Sequence, residues 1–260
     1  MVVARRRMLD TSDPWFQRRP VDRPRLRLVC FPHAGGTAHS YFGWPDRMPA
    51  GVEVLAVQYP GRQNRFAEPC LTSMTELADA VTMALKAYLG PPMVFFGHSM
   101  GSAVAYEVAV RIQRETGEGV RQLLVSGRGA PHQSYAGRGS RALDDDALVA
   151  LVRRLSGPDA EVYDHPDMRE LLLPALRADY TLLDGYDPVR QPARLAFPVT
   201  AYGGRDDPAC PVAELDSWAE VTEGRHEVLT FPGGHFYLRD HEAALVEHLA
   251  GRLPVDAPAD

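Results

Sequence analysis

A chain of 260 residues, 45% hydrophobic and 24% charged, has the size and make-up of one large globular domain, long enough to bury a core without disulfide or metal staples. No apolar run approaches a membrane span, and Arg5, Arg6 and Arg7 are followed by polar residues and Pro14 instead of an apolar signal segment. The net charge of −6, with no basic stripe carrying interleaved aromatics, argues against nucleic acid; three isolated cysteines, Cys30, Cys70 and Cys210, argue against a disulfide frame or zinc site and fit the cytoplasm.

Residues 1–24 are rich in Pro and Arg and read as an irregular basic arm; residues 1–27 hold eight Arg against three Asp, which leaves the body acidic. This charge reads as solvated, with an acidic partner as the sharper alternative. Leu26–Phe31 is short, apolar and followed by Pro32 and two glycines, which predicts a buried strand with Cys30 as a small core residue. Val52–Val57 predicts a second strand, ending in the Tyr59-Pro60-Gly61 turn. Thr72 is placed to cap a helix running to about 89, with Leu77, Val81, Leu85 and Leu89 on one face. Strands are predicted over 93–96, 122–126, 197–202 and 227–231, with helices over 102–116 and 241–253. Strands alternating with helices imply a parallel sheet covered on both faces.

From about 133 to 190 the rhythm breaks. Asp144, Asp145 and Asp146 precede Leu148, Leu151, Val152 and Leu155, spaced as an amphipathic helix with an acidic start. Pro166 opens another helix bearing Leu171, Leu172, Leu176 and Tyr180, and Pro174 is expected to kink it or end its first turn. Residues 25–132 and 191–255 therefore read as the core, and 133–190 as a helical insertion forming a lid, since ordinary crossover connections are shorter.

Gly97-His98-Ser99-Met100-Gly101 matches G-x-S-x-G between a predicted strand and a predicted helix, the context a nucleophile elbow requires. A serine hydroxyl needs a base. His235 lies in a Gly-Gly-His-Phe loop between the last strand and the last helix, at the end of the sheet where functional groups gather. His98 is inside the elbow, His33 is a candidate for lining the pocket together with Gly35 and Gly36, and His226, His241 and His248 read as surface residues. An acid should orient the imidazole, and Asp206 and Asp207 compete after the strand over 197–202. The oxyanion donors are expected from the backbone N–H groups of Met100 and of Ala34, in the loop after the first strand. No metal-ligand spacing is present in the sequence.

Phe31-Pro32-His33-Ala34-Gly35-Gly36, Gln58-Tyr59-Pro60-Gly61-Arg62 and the elbow together resemble the type II thioesterases, stand-alone editing enzymes of polyketide and nonribosomal peptide synthesis. Arg65 with Glu68-Pro69, Ser126-Gly127-Arg128, Leu176-Arg177-Ala178-Asp179, the Gly203–Pro208 turn and Gly233-Gly234-His235-Phe236 add to the likeness, which spans about 26–253. The resemblance implies an α/β-hydrolase fold, a mostly parallel sheet flanked by helices with an inserted helical lid, and no cofactor. It implies Ser99, Asp207 and His235 as a triad, Ala34 and Met100 as the oxyanion hole, and a monomer that hydrolyses acyl thioesters on the phosphopantetheine arm of acyl or peptidyl carrier proteins. Ser102 stands where the family often has Ala or Gly. The alternatives are a carboxylesterase or lipase acting on oxygen esters, and a non-catalytic homologue that only docks on a synthase.

Overall fold

Short apolar runs punctuated by glycine and proline become strands in the computed structural model, which describes residues 10, 12–117, 119–133, 139–186 and 192–255. The strands are Phe16–Arg18 (β1), Leu26–Phe31 (β2), Val52–Val57 (β3), Met93–His98 (β4), Val120–Ser126 (β5), Val199–Gly204 (β6) and His226–Phe231 (β7). The helices are Met74–Leu85 (α1), Met100–Thr116 (α2), Asp145–Ser156 (α3), Pro166–Gly185 (α4), Val212–Leu215 (α5), Tyr237–Asp240 (α6) and Glu242–Ala250 (α7). One seven-stranded sheet has the order β1-β3-β2-β4-β5-β6-β7. All its pairings are parallel except β1 against β3.

Side chains alternate across a strand, and here both faces are apolar. In β2, Val29 and Phe31 join a cluster with α1 and α2, while Leu26, Leu28 and Cys30 face Tyr41, Trp44, Leu245 and Leu249 on the other side. A parallel sheet covered on both faces is what such continuous apolar runs encode. The loops after β2, β4, β6 and β7, which carry Ala34, Ser99, Asp207 and His235, therefore leave the same end of the sheet.

Two local expectations are corrected. Ser73, not Thr72, caps α1, its Oγ accepting from the Glu76 N–H at 3.3 Å. Pro174 does not end α4, which continues to Gly185. Pro174 is exposed, so the carbonyl it leaves without a helical partner faces water, while Leu173, Ala175 and Leu176 beside it are buried and hold the helix in place. The helix expected over 241–253 is α7, and the short α6 precedes it.

The N-terminal arm is also not irregular throughout. Residues 1–9 and 11 lie outside the described residues, but Phe16–Arg18 forms an antiparallel edge strand. Phe16 is fully buried and meets the Tyr88 ring edge-on at 5.0 Å. Arg18 spans Asp10 at 2.8 Å and the buried Glu53 at 2.9 Å, and Arg27 reaches Glu53 at 2.8 Å, so part of the basic charge is paired within the protein. A three-residue edge strand flanked by Pro14 and Pro20 is too short to show a period in sequence. Phe16→Ala should cost about 3–5 kcal/mol, read as a lower urea midpoint at unchanged slope. A cost below about 1 kcal/mol would show the strand to be dispensable.

Candidate active site

β4 ends at His98 and α2 begins at Met100, so the chain reversal falls on Ser99. Ser99 has φ 54° and ψ −116°, a conformation that costs a residue with a side chain on the order of 1–3 kcal/mol and that packing must impose. A Cβ on Gly97 would lie 2.2 Å from the Gly101 carbonyl oxygen, and a Cβ on Gly101 would lie 2.0 Å from the Phe31 carbonyl oxygen. Only hydrogen fits at either place. The Ser99 N–H donates to the Ser126 carbonyl at 2.7 Å. Ser102 Oγ lies 2.8 Å from the Gly97 carbonyl and accepts from the Ser126 N–H at 3.0 Å, so the hydroxyl at this position stitches the elbow to β5.

Three side chains from three loops form a hydrogen-bonded chain. Ser99 Oγ lies 2.9 Å from His235 Nε2, and His235 Nδ1 lies 2.7 Å from Asp207 Oδ2. The carboxylate keeps the proton on Nδ1, which leaves the Nε2 lone pair facing the hydroxyl. Asp207 Oδ1 accepts from the N–H groups of Ala209 at 2.8 Å and Cys210 at 3.2 Å. Asp206 is exposed, and Asp207 is the buried one of the pair. All three linked residues are nearly closed to solvent, Ser99 at 8% exposure being the most open.

The loop after β2 makes a turn in which the Gly36 N–H donates to the His33 carbonyl at 2.9 Å, with Gly35 at φ +73° in the left-handed region. This is the place a type II turn gives to glycine. The turn is braced by the helical segment between β5 and β6: Asp179 Oδ2 on α4 accepts from the Gly35 N–H at 2.7 Å. Met100 is the first residue of α2, so its N–H has no partner within the helix and is free to bind an anion.

A narrow cleft opens beside Ser99 and His235 and is bordered by Arg128, Gln133, Leu155 and Glu214. Burial, and then the charge of Asp207, push the Glu214 carboxyl up. His33, Gly35 and Gly36, expected to line the pocket, do not border this cleft. His33 packs on Phe236 with ring centroids 4.8 Å apart, and Gly35 faces Leu176. The sequence reading did not assign Arg128, Gln133 or Glu214 to the site. Arg128 carried a signal, a polar side chain just past the end of β5; Glu214, in a four-residue helix, carried none.

His98 lies behind His235, ring centroids 5.0 Å apart, and its Nδ1 is 2.9 Å from Ser126 Oγ, itself 2.7 Å from the Tyr237 hydroxyl. Burial holds the His98 imidazole well below its ordinary pKa, and the charges of His235, His33 and Arg239 act in the same direction. Burial also lowers His33, to about 3, aided by Arg239 and His235. Both rings are therefore neutral near pH 7. His226, His241 and His248, expected at the surface, are half-buried. Among the described residues no group of His, Cys, Asp or Glu is arranged to hold a metal ion.

A family model described as Thioesterase domain matches residues 26–253. A Streptomyces griseus protein named "Probable cadicidin biosynthesis thioesterase" is 41% identical over 253 residues, covering 96% of this chain and 69% of that one. Thioesterase PikA5 of Streptomyces venezuelae is 40% identical over 247 residues, covering 94% and 87%. Among solved structures, the type II thioesterase BorB from the borrelidin biosynthetic cluster matches with a TM-score of 0.84 at 38% identity, over 92% of this chain and 97% of that one.

The two neutral imidazoles set a pH dependence of stability. On unfolding each regains its ordinary value of 6.5, so below that pH the unfolded chain binds protons that the folded chain refuses. Stability from this source is complete above pH 6.5 and is lost as the pH falls toward 3. The melting temperature of His98→Gln should therefore fall less steeply than that of the parent between pH 6.5 and about 4. Parallel curves would mean that His98 takes up its proton in the folded state.

Proposed function

The chain belongs to the thioesterase domain family, hydrolases that act on thioesters, and from that premise we propose that it releases acyl groups from the phosphopantetheine arm of acyl or peptidyl carrier proteins through an acyl-enzyme on Ser99. The observation that carries the reading is the chain from Ser99 through His235 to Asp207, with links of 2.9 and 2.7 Å. His235 Nε2 takes the hydroxyl proton as Ser99 Oγ attacks the thioester carbonyl. Asp207 keeps the imidazole in the required tautomer and stabilises its cation. The N–H groups of Ala34 and Met100 receive the oxyanion. The tetrahedral intermediate expels the pantetheine sulfur, a good leaving group because thiols ionise near pH 8.5, and His235 supplies its proton. Water, deprotonated by His235, then attacks the acyl-enzyme and frees the acid and Ser99.

The segment 133–190 is proposed as the lid over this site; residues 134–138 and 187–190 lie outside the described residues. Two features support this. Leu148, Tyr163, Leu173 and Leu176 form an apolar cluster of their own that Ala34 packs against, and Leu155 of α3 borders the cleft. The relatives named for cadicidin and borrelidin biosynthesis support a carrier-bound substrate. The proposed working form is a monomer in the cytoplasm, where the free thiols of Cys30, Cys70 and Cys210 stay reduced.

Ser99→Ala should keep its fold and lose turnover of acyl-pantetheine thioesters to below roughly a thousandth. Asp207→Asn should lose on the order of 10⁴-fold in kcat, while Asp206→Asn stays within about threefold. The opposite order would move the acid to Asp206. Thioesters should exceed matched oxygen esters in kcat/KM; a preference for oxygen esters would replace this reading with a carboxylesterase.

A further inference from the structure

The oxyanion turn and the helix above it are joined by a buried ion pair that the hydrolytic steps do not use. Arg62, from the loop after β3, and Asp179, in the middle of α4, are 5% and 2% exposed. They meet in a two-bond fork, Nη1 to Oδ2 at 2.6 Å and Nη2 to Oδ1 at 2.8 Å. Burial opposes the Arg62 charge, but the Asp179 carboxylate outweighs it and raises the guanidinium pKa. The same Oδ2 accepts from the Gly35 N–H at 2.7 Å, and Arg62 Nη1 also donates to the Gly36 carbonyl at 3.3 Å. One fork thus grips the turn at two consecutive residues.

We propose that Asp179 is a positioning residue for thioester hydrolysis: oriented by Arg62, its carboxylate fixes the Gly35 amide and thereby aims the neighbouring Ala34 N–H at the oxyanion, so that the donor is in place only while α4 is seated. Gly35 at φ +73° has no side chain to limit its backbone, so the turn needs an external brace. A buried ion pair is a poor source of net stability, since its desolvation cost offsets much of its attraction. Holding a catalytic donor within a fraction of an ångström accounts for such a pair at this place, because a displacement near 1 Å can cost about a hundredfold in rate. The inference rests on the assignment of Ala34 as an oxyanion donor.

Two double variants isolate the bond to Gly35 while removing the buried charge from both. Arg62→Met with Asp179→Asn keeps an acceptor oxygen for the Gly35 N–H; Arg62→Met with Asp179→Leu does not. Apolar replacement of both members of a buried pair commonly preserves the fold, and thermal melts of both variants establish this. With acetyl- and hexanoyl-pantetheine thioesters, the Asn variant, which loses the Arg62 contacts but keeps an acceptor for Gly35, should retain a kcat at least about threefold above that of the Leu variant. The Leu variant should fall tenfold or more in kcat, with KM changed by less than about threefold. Equal kcat in two folded double variants overturns the proposal. In the unaltered protein, the Gly35 amide should exchange with deuterium as slowly as the amides of β2. Fast exchange overturns it too, whatever the variants do. The same assay on Ser99→Ala separates the two readings: if that variant still turns over, the serine mechanism fails, whereas equal double variants beside an inactive Ser99→Ala fail only the role of Asp179.

Discussion

The contact between the end of β2 and the start of α2 governs the whole site. The Phe31 carbonyl and the Gly101 Cα are so close that a methyl group could not be placed between them. That proximity sets the first turn of α2 against Phe31 and Pro32, at the start of the loop carrying Ala34, and it goes with the positive φ of Ser99. Nothing local favours such a turn. The sheet supplies it, because β2 and β4 are adjacent and parallel and both are packed on two faces. Phe31 pairs with Gly97 in that ladder, so the register of the core pair fixes the height at which the serine emerges.

Several buried polar groups around this contact are held in sets that draw on more than one loop. Asp207 is held by two backbone amides and an imidazole, Asp179 by a guanidinium and the Gly35 amide, and Ser126 by His98 and Tyr237. In a low-dielectric interior an unpartnered member of such a set would be expensive, which is why these positions come as groups. The helix α4 takes part in this through Asp179 on the turn; Leu173, Leu176 and Tyr180 join a small cluster of their own, while Leu182 and Leu183 join the large cluster on one face of the sheet.

The sequence made the sheet legible because its runs are long enough to show that they are apolar throughout and are bounded by Gly and Pro. Val52–Val57 and Leu26–Phe31 appear in the structure with those same bounds. Ser99 and His235 were legible because each sits in a glycine-framed loop just after a strand. The choice of Asp207 over Asp206 rests on the family resemblance, since adjacent turn residues differ locally only in which one the chain directs inward. Phe16–Arg18 stayed hidden because three residues carry no period, and its strand identity comes from its pairing with β3. The Arg62–Asp179 fork joins positions 117 residues apart, and no local pattern marks either residue as a partner of the other. Cleft residues such as Glu214 are known only after the loops are placed, because sequence distance says nothing about which loops share an edge.

The histidines show how the fold divides chemically similar side chains between roles. His98 and His33 carry the same ring as the proposed base, and His98 lies with its centroid 5.0 Å from that of His235. Were His98 to ionise, two unit charges at that separation would repel by about 3 kcal/mol at an effective dielectric constant of 20, and that energy would oppose the proton His235 must accept during attack. Burial removes the conflict, because His98 is fully enclosed and its proton is refused before the neighbouring charge acts. Of the three rings, His235 is the one with a carboxylate on its far nitrogen, Asp207 Oδ2 at 2.7 Å. The arrangement therefore turns one imidazole toward Ser99 and keeps the other two as neutral packing against Phe236 and Tyr237.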